Sequence, residues 1–133
     1  MFDQILKHAD LPARLGMSAI FIFSGIGKIA AFAPTQGYME AFGLPGILLA
    51  PTIAFEIGAG VALLLGLGAR YVAFLLAGFS LVTALVFHRD FTDQIQQIMF
   101  FKNVAMAGGL LLLAKTGAPG LSLDGVRADR AKA

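Results

Sequence analysis

Apolar residues along this chain do not alternate with polar ones. They run in unbroken blocks such as Ile47-Leu-Leu-Ala50, Val61-Ala-Leu-Leu-Leu65 and Leu110-Leu-Leu-Leu-Ala114. Barrel strands would show a period of two, so the blocks predict helices. About 20 helical residues cross roughly 30 Å of hydrocarbon, and four windows approach that length: residues 12–33, 46–67, 70–87 and about 98–114. The predicted fold class is therefore all-α, an antiparallel bundle of four transmembrane helices in a single domain spanning 1–133.

The breaks between windows carry their own signals. Residues 34–45 begin and end with proline and place Tyr38, Met39, Phe42 and Leu44 among polar neighbours, which predicts a short interfacial helix between the first and second spans, lying over the bundle as a lid. Between the third and fourth spans, Asp90 and Asp93 bracket a helix start. The five-residue connection Gly66-Leu-Gly-Ala-Arg70 is short enough to make the second and third spans antiparallel neighbours. Residues from about 117 onward, with Gly117, Pro119, Gly120 and several basic residues, predict a mobile tail. Small residues recur at four-residue spacing in Ala50, Ala54, Gly58, Ala62 and Gly66, again in Ala73, Ala77, Ser80 and Ala84, and as Ala105 with Gly108-Gly109. Such rows let helix backbones approach in lipid, where no hydrophobic force drives helices together, so they are expected to pack the bundle.

Composition agrees with membrane insertion. Of the 133 residues 58% are hydrophobic and 14% charged, and mean hydropathy is +0.81. The charged n-region formed by Lys7, His8 and Arg14 does not make the first span a cleaved signal, because its apolar part is too long and contains Lys28. Lys7, Arg14, Arg70, Lys115, Arg127, Arg130 and Lys132 fall on one side of the four windows, which places both termini in the cytoplasm by the positive-inside rule. The net charge of +2 suits anionic lipid rather than nucleic acid, since no basic stripe is present. The absence of cysteine excludes dithiol chemistry, iron–sulfur clusters and thiolate zinc sites, and no metal site is expected. His8 and His88 lie on opposite predicted faces, so they do not clamp one haem within a monomer.

Charged groups inside the spans are the candidate chemistry. Glu56 lies roughly 15 Å below the outer end of the second span, Lys28 roughly 8 Å below that of the first, and Lys102 about 6 Å below that of the fourth, with Asn103 beside it. A carboxylate at such depth needs a partner or a purpose. Two readings stand. In one, Glu56 and a lysine form a buried ion pair that fixes helix register while Lys102 snorkels to the headgroups. In the other, two lysines and one glutamate leave an excess positive charge in a shallow outer-leaflet pocket lined by Lys28, Glu56, His88, Lys102 and Asn103 and roofed by Tyr38, Met39 and Phe42. A quinone carbonyl, a small oxoanion or a lipid headgroup would relieve that charge. His88 suits proton exchange with a ligand, because an unperturbed imidazole ionises near neutrality, but an interfacial histidine is also often simply solvated. The twelve phenylalanines serve equally as core filling or as a tunnel lining. Ser24-Gly-Ile-Gly-Lys28 lacks the strand-loop context of a phosphate loop.

Several ordered segments carry a resemblance: Arg14-Leu-Gly16, Phe21-Ile-Phe-Ser-Gly-Ile-Gly-Lys28, Phe42-Gly-Leu-Pro45, Phe55-Glu-Ile-Gly-Ala-Gly60, Leu65-Gly-Leu-Gly-Ala-Arg70, Phe101-Lys-Asn103, Gly108-Gly-Leu-Leu-Leu112 and Ser122-Leu-Asp124. In these the chain resembles the DoxX family of small bacterial membrane proteins over almost its whole length. The resemblance implies a four-helix bundle in the bacterial inner membrane. It also implies an association with quinone-linked oxidation or with oxidative and thiol stress, carried out alongside partner proteins. Lacking cysteine and any haem, metal or flavin motif, the chain is not expected to catalyse alone or to hold an intrinsic cofactor. Two functions follow as expectations: a redox-associated subunit binding a quinone, lipid or other small amphiphile or anion, with a membrane or soluble partner carrying the cofactor; or a non-enzymatic scaffold or assembly factor. Four helices without inverted repeats make a poor monomeric transporter, a judgement that a homo-oligomer would change.

Overall fold

The computed structural model describes residues 1–133 and contains helices only. A single turn α1 (Phe2–Leu6) precedes α2 (Asp10–Ala30). Then come α3 (Phe32–Ala41), a 3-10 turn Gly46–Leu48 running straight into α4 (Leu49–Leu65), α5 (Ala69–Phe87), α6 (Gln94–Thr116) and α7 (Leu123–Lys132). Four of these segments are long and apolar enough to cross a membrane: Phe2–Ala30, Gly46–Leu65, Ala69–Phe87 and Gln94–Thr116.

Boundaries differ from the expected windows for local reasons. The first span ends at Ala30 because Ala31 leaves helical geometry (φ −116°, ψ 45°), so that Pro34, which has no N–H to give the preceding turn, falls inside the first turn of α3 instead. The connecting helix accordingly begins earlier than the 34–45 connection in which it was expected, and ends at Ala41. The fourth span starts at Gln94 rather than near 98, because the Asp93 carboxylate accepts the Ile95 N–H at 2.9 Å and caps it. Beyond residue 117, where the sequence predicts a mobile tail, Ser122 accepts the Gly125 N–H at 2.9 Å and starts α7.

The four spans pack as two close pairs, α2 with α4 and α5 with α6. Sequence-adjacent α4 and α5 touch along less of their length. In the first pair a Cβ on Gly60 would lie 2.8 Å from Ile22 Cγ1 and 3.4 Å from the Ile22 backbone nitrogen, and one on Gly25 would lie 2.5 Å from Ile57 Cγ1. Glycine is what allows these backbones to approach. The row expected to do this on α4 does not: Ala50, Ala54 and Gly58 face outward, and only its end, Gly66, is buried. On α5 the row is inward, with Ala73, Ala77, Ser80 and Ala84 all buried beside Leu76. On α6 Ala105 and Gly108 are exposed, while Ala107 and Leu110 enter the core with Phe21 and Leu63.

The end of the bundle that holds both termini is closed by charge. Gly66 and Gly68 adopt left-handed φ of 67° and 59°, reversing the chain between α4 and α5 in three residues. Arg14, fully buried, donates from one terminal nitrogen to the Leu64 carbonyl and from the other to the Leu121 carbonyl, each at 2.7 Å, and lies 3.5 Å from the Asp10 carboxylate. Asp124 accepts the Gly68 and Ala69 N–H groups at 2.9 and 2.8 Å. A cation thus meets the carbonyl end of α4 and an anion the N–H end of α5, the favourable sense for both helix dipoles.

Gly60→Val is expected to wedge α2 from α4 and destabilise the protein by about 1–3 kcal/mol through overpacking. Gly58→Ala, on the outward face with nothing near its Cβ, should leave thermal unfolding in detergent unchanged. Equal effects of the two substitutions would contradict this packing.

Candidate functional site

At the opposite end the two helix pairs leave a cavity of about 430 Å³ between them. Its floor is set by α2 and α4. One turn separates Ser24 from Lys28, so both present to the same face of α2. There Lys28 Nζ lies 2.9 Å from Glu56 Oε2 and 3.2 Å from Oε1, and donates to Ser24 Oγ at 2.5 Å. Ser24 Oγ donates in turn to Glu56 Oε1 at 3.2 Å. Glu56 is 3% exposed, whereas the Lys28 side chain keeps 27% of its surface. Oε2 has no contact of this kind other than the ammonium.

The facing wall comes from α5 and α6. Ser80 Oγ donates to the Leu76 carbonyl at 2.9 Å and Thr83 Oγ1 to the Ser80 carbonyl at 3.0 Å, so both hydroxyls satisfy their protons on their own helix. Asn103, 7% exposed, donates from Nδ2 to Thr83 Oγ1 at 3.0 Å and ties α6 to α5 at cavity level. Phe21, Phe79 and Met106 supply apolar surface, and Thr35 and Thr52 complete the polar edge.

Above lies an aromatic group. Tyr38 packs on Phe42 (ring centroids 4.9 Å apart) and stacks on Phe87 at 5.5 Å, and Phe42 meets Phe87 edge-on at 5.2 Å. Tyr38, Met39 and Phe87 line the cavity, and Phe42 stands behind them. His88, just past α5, also lines it, with Nδ1 2.8 Å from Gln96 Oε1. The connection that carries His88 is braced at Asp90, whose carboxyl is held below its ordinary value by the Thr92 hydroxyl and backbone N–H. All five side chains expected to form a pocket therefore border one cavity. They do not form one cluster, however. Lys102 is exposed at the rim with Nζ 3.5 Å from Met99 Sδ, so Glu56 meets one lysine rather than two, and the buried charges cancel.

Sequence reasoning did not single out Ser80, Thr83 or Thr35 as cavity residues. Ser80 was legible as part of a small-residue row on α5, and Thr83 follows it at the helical spacing that puts both on one face. It also treated Arg14 as a topology anchor, whereas that side chain is structural and fully buried. Chemically, the site offers a neutral ion pair, several hydroxyls, an amide and an imidazole around an apolar volume. No three His, Asp or Glu side chains converge as metal ligands would.

Four apolar spans around a partly polar internal cavity define a small multi-pass helical membrane protein. The chain belongs to the DoxX family, whose match covers residues 9–89. It is 46% identical over 114 residues to the inner membrane protein YqjF of Escherichia coli (strain K12), covering 86% of this chain and 88% of that relative. It is also 39% identical over 121 residues to the inner membrane protein YphA of the same organism, covering 86% of each. No solved structure matches this chain.

Removing one member of the ion pair leaves the other uncompensated. Lys28→Met, which strands the buried Glu56 carboxylate, is expected to lower stability more than the double variant Lys28→Met/Glu56→Gln. Because Lys28 is about one-quarter exposed, solvent screening limits the coupling to about 1–2 kcal/mol. Thermal unfolding of the four proteins of this cycle in detergent measures it, and additive effects would mean no interaction.

Proposed function

We propose that this chain is an inner-membrane binding subunit that holds a small amphiphile, of the quinone or lipid type, in the cavity between its two helix pairs. Both termini lie on the cytoplasmic side, where most lysines and arginines collect, so the cavity opens in the outer leaflet. The observation that carries this reading is the cavity itself. About 430 Å³ of space falls within the range of small-molecule sites, and such sites combine apolar walls with a few fixed polar groups. Here the walls are Phe21, Phe79, Phe87, Tyr38 and Met106, and the fixed groups are Asn103, Ser80, Thr83 and the Lys28–Glu56 pair. Electron transfer through such a ligand requires a partner carrying the redox group, so the subunit acts within a complex, with His88 at the cavity edge available to exchange a proton.

A second reading has its own support. Ala50, Ala54 and Gly58 form a small-residue row on the outer face of α4, left uncovered within the monomer. Such a row suits close contact with a helix of another membrane protein or a second copy, as a scaffold or assembly factor requires.

Mass spectrometry of small molecules retained by gently solubilised protein separates the two. A stoichiometric quinone or defined lipid in the wild type, absent from folded Lys28→Ala/Glu56→Gln, is expected for the binding subunit. Bulk lipid alone in both samples, with a protein partner that copurifies regardless of the substitutions, favours the scaffold.

A further inference from the structure

We propose that the cavity recognises a hydrogen-bond donor, a hydroxyl on its amphiphile, and that Asn103 rather than Lys28 is the residue that reads it. This rests on the amphiphile-binding reading above and narrows it to one ligand chemistry.

The argument is where each polar proton goes. An ammonium has three donors; Lys28 gives two of them to Ser24 Oγ and Glu56 Oε1 and lies in ionic contact, 2.9 Å away, with Glu56 Oε2. Ser24 gives its own proton to Glu56. The hydroxyls of Thr35, Thr52, Ser80 and Thr83 give theirs to the carbonyls of Ala31, Leu48, Leu76 and Ser80. Every serine and threonine hydroxyl bordering the cavity on these helices is thus committed as a donor and presents only lone pairs, which leaves the Tyr38 phenol as the one cavity hydroxyl whose proton has no protein acceptor. The ion pair is closed on itself by charge, with Glu56 Oε2 held by the ammonium alone.

Asn103 completes this pattern. Because the Thr83 proton goes to Ser80, the Thr83 oxygen can only accept from Asn103, which fixes the amide with Nδ2 toward Thr83. Asn103 Oδ1 then points away from that bond, without a protein partner, on a residue that borders the cavity. A ligand carrying only acceptors, such as a ketone or an ether, would cover this oxygen and leave it unpaired, at the cost of desolvating it. A hydroxyl donates to it. Donors remain in the second N–H of Asn103 itself and, nearer the rim, in the Tyr38 phenol, His88 and exposed Lys102.

The test uses two compounds of nearly the same shape, nonylphenol and its methyl ether, with full-length protein in lipid nanodiscs and equilibrium binding as the readout. Wild type is expected to bind the phenol about tenfold more tightly, the worth of one good hydrogen bond. Asn103→Leu should bring the two within about twofold by weakening the phenol alone. Lys28→Met/Glu56→Gln should lower both affinities by a common factor and keep the ratio. Equal binding of phenol and ether by wild type overturns the donor proposal but leaves the amphiphile reading intact, and this contrast needs no variant to fold. A ratio lost in the ion-pair variant yet kept in Asn103→Leu also overturns it. Absence of saturable binding for either compound removes both readings. Within a supported proposal, dodecanol binding as tightly as the phenol assigns the hydroxyl to a lipid, and weaker binding assigns it to a hydroxylated ring such as a reduced quinone.

Discussion

Backbone groups at a three-residue turn between two membrane helices find no partners within either helix, and this structure answers with two charged side chains from distant parts of the sequence. Arg14 takes the carbonyl end of α4 and the Leu121 carbonyl, and Asp124 takes the N–H groups that begin α5. Neither charge is left alone, since each is held by groups whose partial charges oppose its own. The same contacts anchor the chain from 118 to 125 onto the bundle and so give α7 a fixed origin. With this end locked, the α2–α4 and α5–α6 pairs need not pack tightly at the other. Space for the cavity follows from that asymmetry.

The buried carboxylate is tolerable for a related reason. Glu56 on an apolar helix would be expensive alone, but Lys28 lies beside it and Ser24 bridges the two. The pair carries no net charge into the membrane. Partial exposure of Lys28 keeps the ammonium partly solvated while the carboxylate stays dry. Buried ion pairs of this kind are weak sources of stability compared with apolar packing. What the pair does in this architecture is join α2 to α4 at the cavity floor, which both residues border.

Much of this was legible in the sequence. Continuous apolar blocks gave four spans, and depth along the helices placed Lys28, Glu56 and Lys102 in the outer half and called for a lysine beside the deep carboxylate, without saying which of the two it is. Helical phase was the weaker guide. Given that Glu56 points inward, Gly58 lies two positions on, about 200° around the helix, so the Ala50/Ala54/Gly58 row had to face outward. Likewise Asn103 and Lys102 cannot share a face, and the buried amide turned its neighbour to the rim. The roles of Arg14 and Asp124 were harder to see. The signal was a Gly-Leu-Gly turn with no side chain of its own able to cap either helix, which demands caps from elsewhere without saying where.

That phase relation also sets how the two functional readings fit on one molecule. The cavity borders the face of α4 that carries Glu56 and Thr52, and the uncovered small residues occupy another face of the same helix. A ligand inside and a partner helix outside would be separated by little more than one helix diameter, about 10 Å. Binding and assembly, as proposed, would therefore use different surfaces and need not compete. A subunit of this size can hold an amphiphile between its helix pairs while presenting α4 to a neighbour. This is the arrangement required if the redox group belongs to that neighbour, because the ligand must then lie within reach of a centre outside this chain.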